Sequence, residues 1–155
     1  KWRIPTLVLI RKPKDAVLSF AIRDPISVDQ ALRYYLSFYE TVEGYRDAYV
    51  LGLFEEVTED FGDVIRRIND RFGTTFSPFS HDERNVDRVF ARIEKNSRKR
   101  FGETSLENKV SRPFASREKL KREVGYELEN PKRRDLISRA ETVYDRLTRK
   151  PAPDH

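Results

Sequence analysis

The chain has no cysteine, so disulfide bridges, cysteine metal sites and thiol catalysis are all excluded. The absence of thiols suits a cytoplasmic protein. No apolar run approaches the ~20 residues of a membrane-spanning helix, and no segment has the pattern of a signal peptide. Methionine is also missing, and Lys1-Trp2-Arg3 opens directly onto an apolar run. Residues upstream of Lys1 are therefore expected. Histidine occurs only as His81 and His155. No His, Asp or Glu spacing points to a metal site, and no catalytic acid-base constellation is visible. His81 precedes a helix and reads as a surface residue.

The 155 residues are enough for one domain with a real core. Hydrophobic and charged residues each make up 37% of the chain, and the apolar ones fall into periodic blocks rather than being scattered. The 31 basic and 26 acidic residues leave a net charge of +5. This modest excess suits an anionic ligand, a weak nucleic-acid contact or a membrane surface. Most of the charges are expected to solvate helix faces.

Thr6-Leu-Val-Leu-Ile10 reads as a buried strand, and Ala48 to Phe54 as a second. Between them, Val17, Leu18, Ala21 and Ile22 fall on one helix face, which Asp24-Pro25 ends. Ser27-Val-Asp-Gln30 has the form of a capping box for a helix carrying Ala31, Leu32, Tyr35, Phe38, Tyr39 and Val42, which Gly44 stops. A strand, helices and a second strand predict a parallel crossover. Asp60 or Thr58 is placed to cap a helix that Gly73 closes. Asp82 to about Lys99 repeats an amphipathic pattern through Val86, Val89, Phe90 and Ile93. Glu103 to Ala115 lacks a period and reads as a loop. Helices are expected from about Ser116 to Glu129 and from Pro131 to Arg149. The expected class is α/β, a parallel sheet with flanking helices and a helix-rich C-terminal half.

Chemistry concentrates in Arg11-x-Pro13-x-Asp15-x-x-x-Ser19, which follows a strand and runs into a helix. A helix start offers free N–H groups and a positive dipole end. Arg11 can grip phosphate oxygens with two parallel hydrogen bonds. Asp15 also fits an ordinary helix start, so spacing alone leaves a plain strand-to-helix turn open.

The run Arg11-Lys12-Pro13-Lys14-Asp15-Ala-Val-Leu-Ser19 resembles the 3′-phosphate-binding motif of PAPS-dependent sulfotransferases, with Lys12 replacing the usual Asn. The resemblance implies the P-loop NTPase-like sulfotransferase fold. It also implies transfer of a sulfuryl group from 3′-phosphoadenosine-5′-phosphosulfate (PAPS) to a hydroxyl or amine on a small-molecule or glycan acceptor, leaving 3′-phosphoadenosine-5′-phosphate (PAP). Arg11 and Ser19 would hold the 3′-phosphate. Phe54 stands where the family has a Tyr near the adenine, with Glu55 and Glu56 after it and a polar stretch before the next helix. Lys109 or Arg112, in Lys109-Val-Ser111-Arg112-Pro113, would close over the phosphate. The resemblance covers only this half, and implies that residues 1–155 are the C-terminal part of a larger sulfotransferase domain. The family's phosphosulfate loop and its base precede the motif and are not in these residues, so the catalytic residues are unknown and the isolated chain is expected to be inactive. No nucleic-acid or membrane partner is implied. Two other readings stand beside it: another P-loop-type enzyme such as a small-molecule kinase, and a basic helical module that binds nucleic acid through Arg98-Lys99-Arg100, the Arg117–Arg122 stretch and Lys132-Arg133-Arg134.

Overall fold

The computed structural model describes residues 4–24, 26–101 and 115–149. The first apolar run forms β1 (Leu7–Ile10) and the second forms β2 (Val50–Leu53). They pair in parallel, with Leu7 opposite Val50 and Ile10 opposite Leu53. Paired residues in a sheet share a face. Val8, Ile10, Leu51 and Leu53 therefore look one way, and Leu7, Leu9, Val50 and Gly52 the other.

Each face has its own cover. On the first, Ile10 joins Val17, Leu32, Leu36, Val143 and Leu147 in the main core, which draws on helices α1 (Pro13–Arg23), α2 (Val28–Glu43), α6 (Ala115–Leu128) and α7 (Arg134–Thr148). On the second, Val50 packs with Val64 and Ile68 of α4 (Phe61–Phe72), and Leu7, Val57 and Phe72 border them. Gly52 lets this second cover close down, because a Cβ there would lie 3.1 Å from Leu7 Cδ1 and 3.3 Å from Val57 Cγ2. The result is a helix-rich α/β unit with a small parallel sheet between two helical layers.

Side chains also tie off both outer edges of this two-stranded sheet. Thr6 O and Val50 N pair across the ladder, so alternation turns the Leu9 and Arg11 carbonyls away from β2. Tyr39 and Tyr35 of α2 donate their hydroxyls to those two carbonyls, at 2.8 and 3.0 Å. On the outer edge of β2, Arg67 Nη1 donates to Leu51 O and Glu56 accepts from Leu53 N, and the two side chains meet at 2.6 Å. Unpaired strand edges invite association with other strands, and these four side chains occupy positions where another strand would bond.

Helix ends follow their local chemistry. Ser27 and Gln30 complete the expected capping box of α2. Asp60, not Thr58, caps α4, and Gly73 closes it in the left-handed region at φ 66°. The Thr58 hydroxyl instead donates to the carbonyls of Phe54 and Glu55. Asp82 accepts from Asn85 N at the start of α5 (Glu83–Phe101). Pairs between α2 and α7 use charge specifically, with Arg139 gripping Glu40 and Arg146 gripping Glu43 through two bonds each.

Several expectations need correction. β1 is not buried on both sides: Leu9, opposite the side-chain-free Gly52, is 43% exposed. The second strand is shorter than Ala48–Phe54, because Arg46–Ala48 forms a 3-10 turn and Phe54 begins the short helix α3 (Phe54–Glu59), which takes up the polar stretch before the next helix. The last helix begins as a 3-10 turn over Pro131–Arg133. In α5 the apolar stripe is only partly covered, with Val89 and Ile93 more than two-fifths exposed. The Glu103 to Ala115 loop lies outside the described residues apart from Ala115, which begins α6.

Candidate functional site

Because β1 and β2 end in register, Arg11 and Phe54 leave the carboxyl edge of the sheet side by side. That edge is where open α/β sheets bind their ligands. The Arg11 guanidinium carbon lies 4.3 Å from the centre of the Phe54 ring, a cation–π contact. Among the described residues no carboxylate pairs with this guanidinium and no group hydrogen-bonds to it; its Nε is buried without a partner. Tyr35 holds the Arg11 backbone from α2, so strand, ring and tyrosine together fix the direction in which the arginine leaves the sheet.

The chain then turns at Lys12, whose backbone is extended, and enters α1 at Pro13. Pro13 has no N–H to satisfy and its fixed φ suits a first helical turn. No side chain caps this end, and Asp15 is exposed. The N–H groups of Lys14 and Asp15 belong to the helix's unpaired first turn. One half-buried cation without a counterion, beside an uncapped helix start, forms a local positive site at the carboxyl edge.

No family model matches the chain, and neither does any curated protein or solved structure.

Of the residues singled out in sequence, the structure brings Arg11 and Phe54 together. Ser19 is half-buried in α1, about 9 Å along the helix axis from Pro13. Lys109 and Arg112 lie outside the described residues. His81 is not a plain surface residue: it is half-buried, its ring stands edge-on to Phe79 at 5.7 Å, and its Nδ1 is buried without a partner. Tyr35 and Tyr39 pack in and against the core, whereas Tyr34 is 58% exposed. The parts played by Tyr35 and Tyr39 at the site were missed in sequence. Their i, i+4 spacing on an amphipathic helix signalled burial, but only the sheet edge opposite shows what their hydroxyls do.

The basic clusters are not equivalent. Arg133 donates to Asp29 at 2.8 Å and to the Glu127 carbonyl at 2.6 Å, which commits it to joining α2, α6 and the turn before α7. Among the described residues no group of His, Asp or Glu is placed to hold a metal ion, and no helix is long and apolar enough to cross a membrane.

Proposed function

We propose that this chain is the 3′-phosphate-binding half of a sulfotransferase that uses PAPS. One observation carries the reading: the guanidinium of Arg11, the first residue of the motif, stands at the carboxyl edge of a parallel strand pair without a counterion, stacked on Phe54. A 3′-phosphate would supply the missing anion, taken by the fork of Arg11 and by the first-turn N–H groups of α1. The base would pack against Phe54. Ser19 would reach the phosphate from α1, and Lys109 or Arg112 would close over it. In this reading the acceptor oxygen attacks sulfur in line and PAP leaves. In the family, the residues that activate the acceptor and cradle the phosphosulfate precede this motif. The acceptor is a small molecule or a glycan.

The test is a thermal shift of the chain with PAP against ADP, with Arg11→Ala as control. Ligand that binds only the folded state raises the melting temperature. The reading expects a shift that needs both the 3′-phosphate and Arg11. No shift with millimolar PAP would overturn it. Equal shifts with ADP would assign the edge to an ATP-type nucleotide, as in a small-molecule kinase.

A further inference from the structure

Helix α2 is apolar on more than one side. Its inner face buries Val28, Ala31, Leu32, Tyr35 and Leu36. A second row, Tyr34, Phe38, Thr41 and Tyr45, runs along the outside at helical spacing. Tyr45 belongs to the turn that closes α2. Gly44 keeps helical backbone there, at φ −66° and ψ −12°, and Tyr45 N donates to Val42 O at 2.9 Å. Phe38 is 52% exposed and Tyr45 65%, in line with the exposed Tyr34. The row is about 16 Å long. Phe20 of α1 widens it at one end, its ring 5.9 Å from that of Tyr34.

The row also lacks charge, in a chain of which 37% is charged. Its neighbours on the same side are Gln30, Ser37 and Gly44, all exposed and neutral. Glu40 and Glu43 are drawn towards α7 by Arg139 and Arg146, and Arg33 stands at the border of the row by helical spacing. A solvated helix face carries charged and polar residues, whereas the centre of a protein interface is depleted of charge and enriched in Tyr and Phe. Exposed apolar residues scattered singly are ordinary, but a continuous patch marks a contact surface. Thr41 suits burial there, because its hydroxyl already donates to Ser37 O at 2.7 Å.

The spacing of the row selects the partner. Its steps of four, three and four residues read the same in both directions, so the row can face itself across a two-fold axis. An antiparallel copy of α2 sets Phe38 against the other copy's Thr41, large against small, twice over, and Tyr34 against the other copy's Tyr45. Such alternating steps of three and four residues form the packed seam of helix pairs. The exposed parts of the three rings come to roughly 250–450 Å² per copy. With the small residues between them, two copies would bury on the order of 1,000 Å², at the lower limit for a specific interface. A net charge of +5 opposes association of two copies, and an uncharged face is where they can approach. We infer that the outer row of α2 is a docking surface for a second copy of this chain, giving a weak, reversible two-fold dimer through antiparallel α2 helices. The surface uses no residue of the Arg11 motif, so it does not depend on the nucleotide reading.

The test is analytical ultracentrifugation of the chain from about 5 to 500 µM, the range in which a weak dimer forms and dissociates. The parent chain is expected to pass from monomer to dimer across it. Phe38→Lys should weaken association about tenfold or more, because each copy then buries an unpaired charge. Thr41→Asp should do the same. Mixed in equal amounts, these two variants should associate again, since charges of opposite sign then face each other across the seam. Tyr126→Lys, at an exposed ring of α6 outside the row, should leave the dimer unchanged. Circular dichroism of each dilute variant checks that it folds, and both altered side chains of the row are exposed in the single chain. A parent chain that stays monomeric throughout would overturn the inference and leave the row to a different protein. A dimer that survives both row variants, or a mixture that associates no better than its components, would overturn it as well.

Discussion

Replacing Tyr35 with Phe tests how the sheet edge and the candidate site are held together. Tyr35 is 6% exposed, and its hydroxyl donates at 3.0 Å to the carbonyl of Arg11, which faces away from β2. The substitution keeps the ring, including its 4.5 Å contact with Tyr39. What it removes is the donor, leaving a carbonyl behind α2 without that partner. An acceptor stranded in this way costs about 1–2 kcal/mol. For a chain of this length that corresponds to a drop in melting temperature of roughly 2–8 °C. Urea unfolding followed by circular dichroism gives the free energy directly, and an unchanged m-value would show that the folded and unfolded states keep their compactness. Tyr39→Phe supplies the internal scale. Its bond to Leu9 O is shorter at 2.8 Å but more exposed, so water can replace it and the loss should be smaller, about 0.5–1 kcal/mol. If Tyr35→Phe is as stable as the parent, or Tyr39→Phe costs more, burial does not set the worth of these bonds and the edge argument fails.

Alkali should unfold the chain through the same two residues. Burial, followed by the neighbouring Tyr39 and Tyr144 phenols, raises the pKa of Tyr35, and burial pushes Tyr39 up to about 12. In the unfolded chain both release their protons near pH 10. Stability should therefore be complete below about pH 10 and fall as the pH climbs towards 12, because only the unfolded state gives up the protons there; a flat urea midpoint across that window would contradict this. Gly62→Ala should destabilise by about 1–3 kcal/mol through overpacking, since its Cβ would clash with the Phe79 carbonyl oxygen at 2.5 Å, and a neutral result in chemical denaturation would mean the 74–81 segment yields freely. Ser27→Ala should cost about 1 kcal/mol by removing the hydroxyl that accepts from Gln30 N, with Gln30→Ala costing less; the reverse order would place the cap's strength in the other half of the box.

Local chemistry was legible without the fold. Ser27 and Gln30, Pro13, Gly73 and the apolar periods of α2, α4 and α7 encode helix starts, stops and inward faces, because capping and amphipathicity act within a few residues. The Arg11 motif likewise marked a strand-to-helix turn. The α3 helix was missed because Glu55-Glu56 and Thr58-Glu59-Asp60 look like a solvated loop, and it is Val57 packing on Gly52 that makes a helix worthwhile there. His81 looked like a loop residue because nothing nearby in sequence shows Phe79 turning against it.

The residue types and spacing by themselves determined a parallel strand pair and its helices. Tertiary structure alone decided that Arg11 would stack on Phe54, 43 residues away in the chain, rather than on an acid. It also decided that Tyr35 and Tyr39 would bond a strand edge. The physical reason is range: capping and periodicity act over three or four residues, whereas the register of two strands sets which distant side chains share an edge, and pairing options for a charge exist only once that edge is built.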